Sequence, residues 1–266
     1  MKTSFATLIL VGATTAFLLG GCQQNKTDKS STTFDSIVIN KKEPLIHDEQ
    51  QSPKCNLQIN LKYAIPADSI TQRINDVVVR AAFEYEQLAP QAAVDSFVNH
   101  YLSNYHNDLT PYYKEEKKKG DIGGWYNYEY TLNSRHIAAK DSIIGYEINL
   151  YTYEGGAHGS HTITYLNFNA QTGEQILLED VFTEGYETLL SDRLLKALLK
   201  HTKLNSLEEL QNEGFLTATN MYPSKNFLLT SEGIKFYYNA YEIAPYAMGP
   251  TELTLSYEEI KDLLKH

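Results

Sequence analysis

The hydrophobic period of this chain switches from about two residues to about 3.6 and back again, twice, and that rhythm restricts the fold more than any other feature. Residues 34–39 read as a first strand, and Pro44 to Pro53 as a polar loop. Residues 54–64 then alternate through Cys55, Leu57, Ile59 and Leu61, the pattern of a half-buried strand. Beyond Pro66, Asp68 can cap a helix in which Ile70, Ile74, Val77, Val78 and Ala81 share one face. After Pro90 a second stripe runs through Val94, Phe97, Val98, Tyr101, Leu102 and Tyr105. Residues 114–120, of mixed charge, read as a solvated turn.

Alternation returns over residues 125–133, 142–153 and 161–169. A turn through Asn169 and Gly173 leads to a strand at residues 176–178. Residues 183–203 form a helix with Tyr186, Leu190, Leu194, Ala197 and Leu198 on one face, and Ser206 opens a short one. Short strands follow at 227–229, 234–238 and 252–255, and a box of Ser256 and Glu259 starts a helix expected to reach His266. Strands and helices thus come in blocks rather than in regular alternation. The fold class is α+β: two small units, residues 34–153 and 154–266, each a mainly antiparallel sheet with helices packed on one face.

The N-terminus has its own logic. Lys2 precedes an uncharged apolar run from Phe5 to Leu19, which ends in Leu19-Gly20-Gly21-Cys22. This is the order of a secretory signal, residues 1–21, and it is too short to span a bilayer comfortably. The cysteine behind small residues resembles the lipobox of bacterial lipoproteins. That resemblance implies diacylglycerol on the Cys22 thiol, cleavage before it and a membrane contact made through lipid alone, with residues 22–33 as a polar tether. The expected location is the bacterial cell envelope. Gln23, rather than aspartate, after the cysteine points to the outer membrane, facing the periplasm.

The formal net charge of −10 disfavours nucleic acid and anionic lipid as partners and favours a basic one. With Cys22 lipidated, Cys55 has no cysteine left to pair with, so stability must come from an apolar core, into which Cys55 should point. Twenty tyrosines stand against one tryptophan and ten phenylalanines; tyrosine suits half-buried strands and also flat binding faces.

Three motifs belong together: Tyr153-Glu154-Gly155-Gly156-Ala157-His158-Gly159; Asn167-Phe168-Asn169-Ala170-Gln171-Thr172-Gly173 leading to Leu178-Glu179-Asp180-Val181-Phe182; and Tyr238-Asn239-Ala240-Tyr241-Glu242-Ile243-Ala244-Pro245-Tyr246-Ala247-Met248-Gly249. The series, over roughly residues 153–263, resembles the extracellular domain of RsiV-type anti-sigma factors. It is also similar to the non-catalytic region of PdaC-type peptidoglycan deacetylases, and the part before it looks like the companion domain found upstream in both. The resemblance implies an envelope-facing module that binds a lysozyme-like protein or a cell-wall glycan. The membrane-spanning helix of the first type and the catalytic metal domain of the second are not expected here. The candidate ligand-binding residues are Tyr153, Glu154, His158, Tyr241, Glu242 and Tyr246.

Two chemical readings stand beside binding. Glu154, His158 and His161 form an E-x3-H-x2-H set with zinc-compatible ligand types, but the intervening glycines rule out helical geometry and favour a structural turn. No metal or other cofactor is expected. Glu242 could act as a general acid on peptidoglycan if Glu179, Asp180 or Glu154 supplied the second carboxylate. The leading expectation is a non-enzymatic, lipid-anchored binding module. A peptidoglycan-acting enzyme and a structural envelope component are the alternatives.

Overall fold

The computed structural model describes residues 32–120, 122–138 and 142–265. The expected leader, Cys22 and the tether as far as residue 31 lie outside the described residues. β1 (Thr33–Pro44) and β2 (Lys54–Ile65) pair antiparallel, with Ile39 opposite Ile59. α1 (Ser69–Phe83) and α2 (Pro90–Lys119) then cross over to β3 (Tyr128–Ala138), which lies parallel to β2. A parallel neighbour demands such a crossover, because a tight turn can only reverse the chain. β4 (Ile143–Tyr153) and β5 (Ser160–Asn169) add antiparallel strands and complete a sheet in the order β1-β2-β3-β4-β5. Alternation does its work in β2: Cys55, Leu57, Ile59 and Leu61 are all buried, in one core with Ile74 and Val78 of α1 and Val94 and Val98 of α2.

A second core follows. α3 (Leu178–Val181), α4 (Glu187–Thr202) and α5 (Leu207–Asn212) precede an antiparallel sheet of β6 (Phe227–Leu229), β7 (Gly233–Tyr238) and β8 (Thr251–Ser256), and α6 (Tyr257–Ile260) comes last. Leu190, Leu194 and Leu198, four residues apart on α4, are fully buried in this core with Ile234, Phe236, Leu253 and Leu255. The architecture is α+β, with both sheets mainly antiparallel.

Residue 155 lies in the β4–β5 turn, so β5 belongs to the first sheet and the core changes only after it. Asparagine amides join the two sheets. Asn167 of β5, buried, donates from Nδ2 to Phe227 O at 2.8 Å and accepts from Leu229 N–H at 2.8 Å. Asn226 accepts from Tyr165 N–H and donates to Ile163 O, each at 2.7 Å, and Asn239 accepts from Ile163 N–H at 2.8 Å. Asn226 and Asn239 thus satisfy outer backbone groups of β5, and Asn167 satisfies those of β6, edges that would otherwise be open to another chain.

Three local expectations are corrected. Residues 114–119 are not a turn but the end of α2, which stops at Gly120 with φ +77°. Glu and Lys favour helix, Tyr113 is buried, and both its hydroxyl and Lys117 bind Glu49, at 3.0 and 2.6 Å. Residues 176–178 are not a strand: only Gln175 bridges to Phe168, and Asp180 accepts from Leu177 N–H to start α3. The last helix ends at Ile260 rather than at His266, because the following backbone pairs with residues 181–183 through Leu263 O and Lys265 N–H. Gly173 does take the positive φ its turn needs, +74°, and a Cβ there would lie 2.2 Å from Ile70 O. No described helix is long and apolar enough to cross a membrane.

Candidate functional site

The β4–β5 turn and the β7–β8 connection meet. Gly155 and Gly156 both adopt positive φ, +84° and +100°, so the chain reverses there as only glycine does readily. The reversal delivers His158 onto Tyr246, ring on ring, with centroids 3.9 Å apart and planes 17° from parallel. Tyr246 Oη donates to Gly159 O at 2.9 Å, which locks one connection to the other. Tyr241 extends the row at 5.4 Å from Tyr246. Its ring is 66% exposed and its backbone is left-handed, φ +76°, an unfavourable conformation for a bulky side chain. The three rings form an open ledge on which Tyr241 and His158 are exposed and Tyr246 is half-buried.

The other candidates sit around this ledge with different partners. Tyr153 Oη donates to Gly156 O at 3.1 Å and so braces the turn. Glu154 accepts from Tyr101 Oη at 2.8 Å, on the side of α2. That carboxylate, together with burial, pushes the Tyr101 phenol well above its ordinary range, burial being the larger cause. Glu242 accepts from Tyr222 Oη at 3.3 Å, while burial first and then the Glu242 charge push the Tyr222 phenol up to about 12. Glu179 and Asp180 are both exposed, and Asp180 caps α3. Glu242, Glu154 and Asp180 therefore have three separate hydrogen-bond partners.

The E-x3-H-x2-H set does not converge. Glu154 bonds Tyr101, His158 Nδ1 faces Gly159 O at 2.9 Å, and His161 Nε2 faces Asn149 Oδ1 at 2.8 Å. The set whose ligand atoms do gather is Glu43, His47 and His106, all within 4.8 Å of one another. Its members lie 4 and 59 residues apart in sequence, with the last on a different element, so no local spacing announces them.

A groove of about 610 Å³ between α4 and β8 was equally hard to read from sequence. Arg193, Lys196, Lys200 and His201 line it from one face of α4, opposite Glu252 and Glu259. The stripe at i, i+3, i+7 and i+8 is visible in the sequence, but only the neighbouring strand turns it into a concavity. Arg193 is already engaged there by Asp262, through two bonds at 2.8 and 2.7 Å.

Comparison with known proteins places this arrangement. A family model described as a protein of unknown function, DUF3298, matches residues 179–258, which hold most of the second core and Tyr241 to Met248. A crystal structure of a DUF3298 family member from Bacteroides fragilis NCTC 9343 is 34% identical; the alignment covers 88% of this chain and 94% of that one, with a TM-score of 0.82. A DUF3298 family protein from Pseudomonas aeruginosa PAO1 shares the fold, with 18% identity, coverage of 89% and 95%, and a TM-score of 0.60. No curated protein matches. With that degree of identity over most of both chains, this protein belongs to the DUF3298 family.

Proposed function

We propose that this protein is a non-enzymatic binding module of the bacterial cell envelope, held to the outer membrane by lipid on Cys22, and that the ledge of Tyr241, Tyr246 and His158 meets a lysozyme-like glycosidase. The observation behind this reading is Tyr241. A bulky residue in a left-handed backbone costs about 1–2 kcal/mol, and here that cost holds a large ring out in water. Strain of this kind concentrates at binding and active sites. Exposed tyrosine faces supply large, rigid contact area with few rotamers to freeze, as in many protein interfaces. The resemblance to RsiV-type extracellular domains and PdaC-type non-catalytic regions runs through these same residues. The net charge of −10 would draw in a basic enzyme and speed its encounter.

The test is calorimetry of the purified chain with lysozyme at low and moderate salt, beside co-sedimentation with peptidoglycan sacculi. Tyr241→Gly should keep thermal stability within about 1 kcal/mol, since glycine tolerates the left-handed backbone. It should weaken lysozyme binding at least ~10-fold, the effect of losing an interface anchor. Retention on sacculi without heat from lysozyme would move the partner to the glycan. No binding to either, or equal binding by Tyr241→Gly, would reject the ledge as the contact surface. Muropeptides altered by incubation would instead favour the enzyme reading built on Glu242.

A further inference from the structure

At the far end of β1, Glu43 Oε1 lies 3.2 Å from His47 Nε2 and 3.2 Å from His106 Nε2. Two metal–ligand bonds of roughly 2.0–2.1 Å meeting at the tetrahedral angle place their donor atoms about 3.3 Å apart, a spacing that both separations match, and all three ligand atoms lie within 4.8 Å of one another. The two imidazoles face each other, with centroids 5.6 Å apart.

The second ring nitrogen of His106 makes the case sharper. Nδ1 lies 3.2 Å from Leu45 O, and Nε2 faces the Glu43 carboxylate. Both partners are acceptors only. A neutral imidazole has one N–H, so it can satisfy one of them and must point a lone pair at the other. A cation between Nε2 and Glu43 removes the conflict: Nδ1–H donates to Leu45 O, and the Nε2 lone pair binds the ion. This is the usual outer arrangement of a metal-bound histidine, whose far nitrogen donates to a carbonyl and fixes the ring. The carbonyl is itself held. Leu45 is buried, its N–H donates to Pro53 O at 2.8 Å, and Ile46 N–H donates to Ser52 Oγ at 2.7 Å.

We propose that Glu43, His47 and His106 form a binding site for one divalent transition-metal ion, zinc by ligand type. Imidazole and carboxylate suit zinc, and three protein ligands leave a fourth position for water. Glu43 and His106 are half-buried, whereas the His47 side chain is 68% exposed, so the ion would enter from the His47 side. Bound there, it clips the β1–β2 loop to α2, two elements that the Glu49–Lys117 pair also joins.

Titration calorimetry of the metal-free full chain with zinc sulfate tests this. One zinc per chain should bind, and zinc should raise the melting temperature. His106→Gln should weaken binding at least ~10-fold. His47→Gln should do the same, and because that side chain is largely exposed its loss leaves the fold intact. His161→Gln should bind zinc as the parent does. No saturable zinc binding by the parent would overturn the site. Undiminished binding by His47→Gln and His106→Gln would overturn it equally, because the zinc would then sit on other residues.

Discussion

Single residues show how far chemistry can be read from type and pattern. Cys55 occupies an apolar phase of an alternating segment, and β2 buries it completely. Burial first, and then the charges of Glu154 and Glu43, push its thiol up to about 12. Because the thiolate is the reactive form, the folded protein should show no Cys55 reaction with a disulfide reagent at pH 8, and full reaction in denaturant. Rapid labelling of the native protein would show that the strand opens. The ledge residues were legible in a weaker sense: His158, Tyr241 and Tyr246 stood in recurring motifs, but only the fold puts one ring on another. Glu154 and Glu242, whose residue type alone permits acid–base chemistry, each accept from a tyrosine of their own neighbourhood. Glu43, His47 and His106 gave no signal, because a spacing of 59 residues between loop and helix has meaning only after packing.

At the scale of elements, local sequence rules succeeded where the deciding contacts are local. The box at Ser256 is present in full: Ser256 Oγ accepts from Glu259 N–H at 3.3 Å, and Ser256 N–H donates to Glu259 Oε2 at 2.8 Å. The Ser256 hydroxyl, donating to Glu259 Oε2 at 2.7 Å, and then the Ser256 N–H hold the Glu259 carboxyl below its ordinary value of 4.5. Ser256→Ala should cost about 1 kcal/mol in urea denaturation at pH 7. A carboxyl lowered in the folded state stabilises above its unfolded value and loses that contribution as pH falls, so the deficit of the variant should shrink below about pH 4.5. An equal deficit at pH 7 and at pH 3 would show that the carboxylate is not involved. Elements were misjudged where a distant partner decides. Residues 114–119 stay helical because Tyr113 and Lys117 reach Glu49, and residues 261–265 leave the helix because their backbone finds residues 181–183.

Across the whole molecule, the two sheets are joined both by an apolar cluster of Tyr165, Leu228 and Tyr237 and by buried amide bonds. Asn167 is buried, and both ends of its amide bond the backbone around β6, so it does for the second sheet what a strand rung would do. Asn167→Leu keeps the branching and heavy-atom count but strands Phe227 O and Leu229 N–H, at roughly 1–3 kcal/mol for each buried unpaired group. A total loss of about 2–6 kcal/mol in chemical denaturation is expected. A loss below ~1 kcal/mol would mean that water or relaxed backbone replaces the amide.

By itself the sequence determined the fold class, the two apolar cores, most strand and helix positions, the buried Cys55 and the glycine turn at Gly173. All of these depend on periods of two and 3.6 residues, or on one residue's own backbone freedom, which are written along the chain. The tertiary structure alone decided that β5 closes the first sheet, that asparagines bridge it to the second, that three aromatic rings line up in a ledge, and that Glu43, His47 and His106 gather around one point. Those features join residues separated by tens of positions, and their energies come from desolvation and directional bonds that exist only once the backbone has brought the partners within reach.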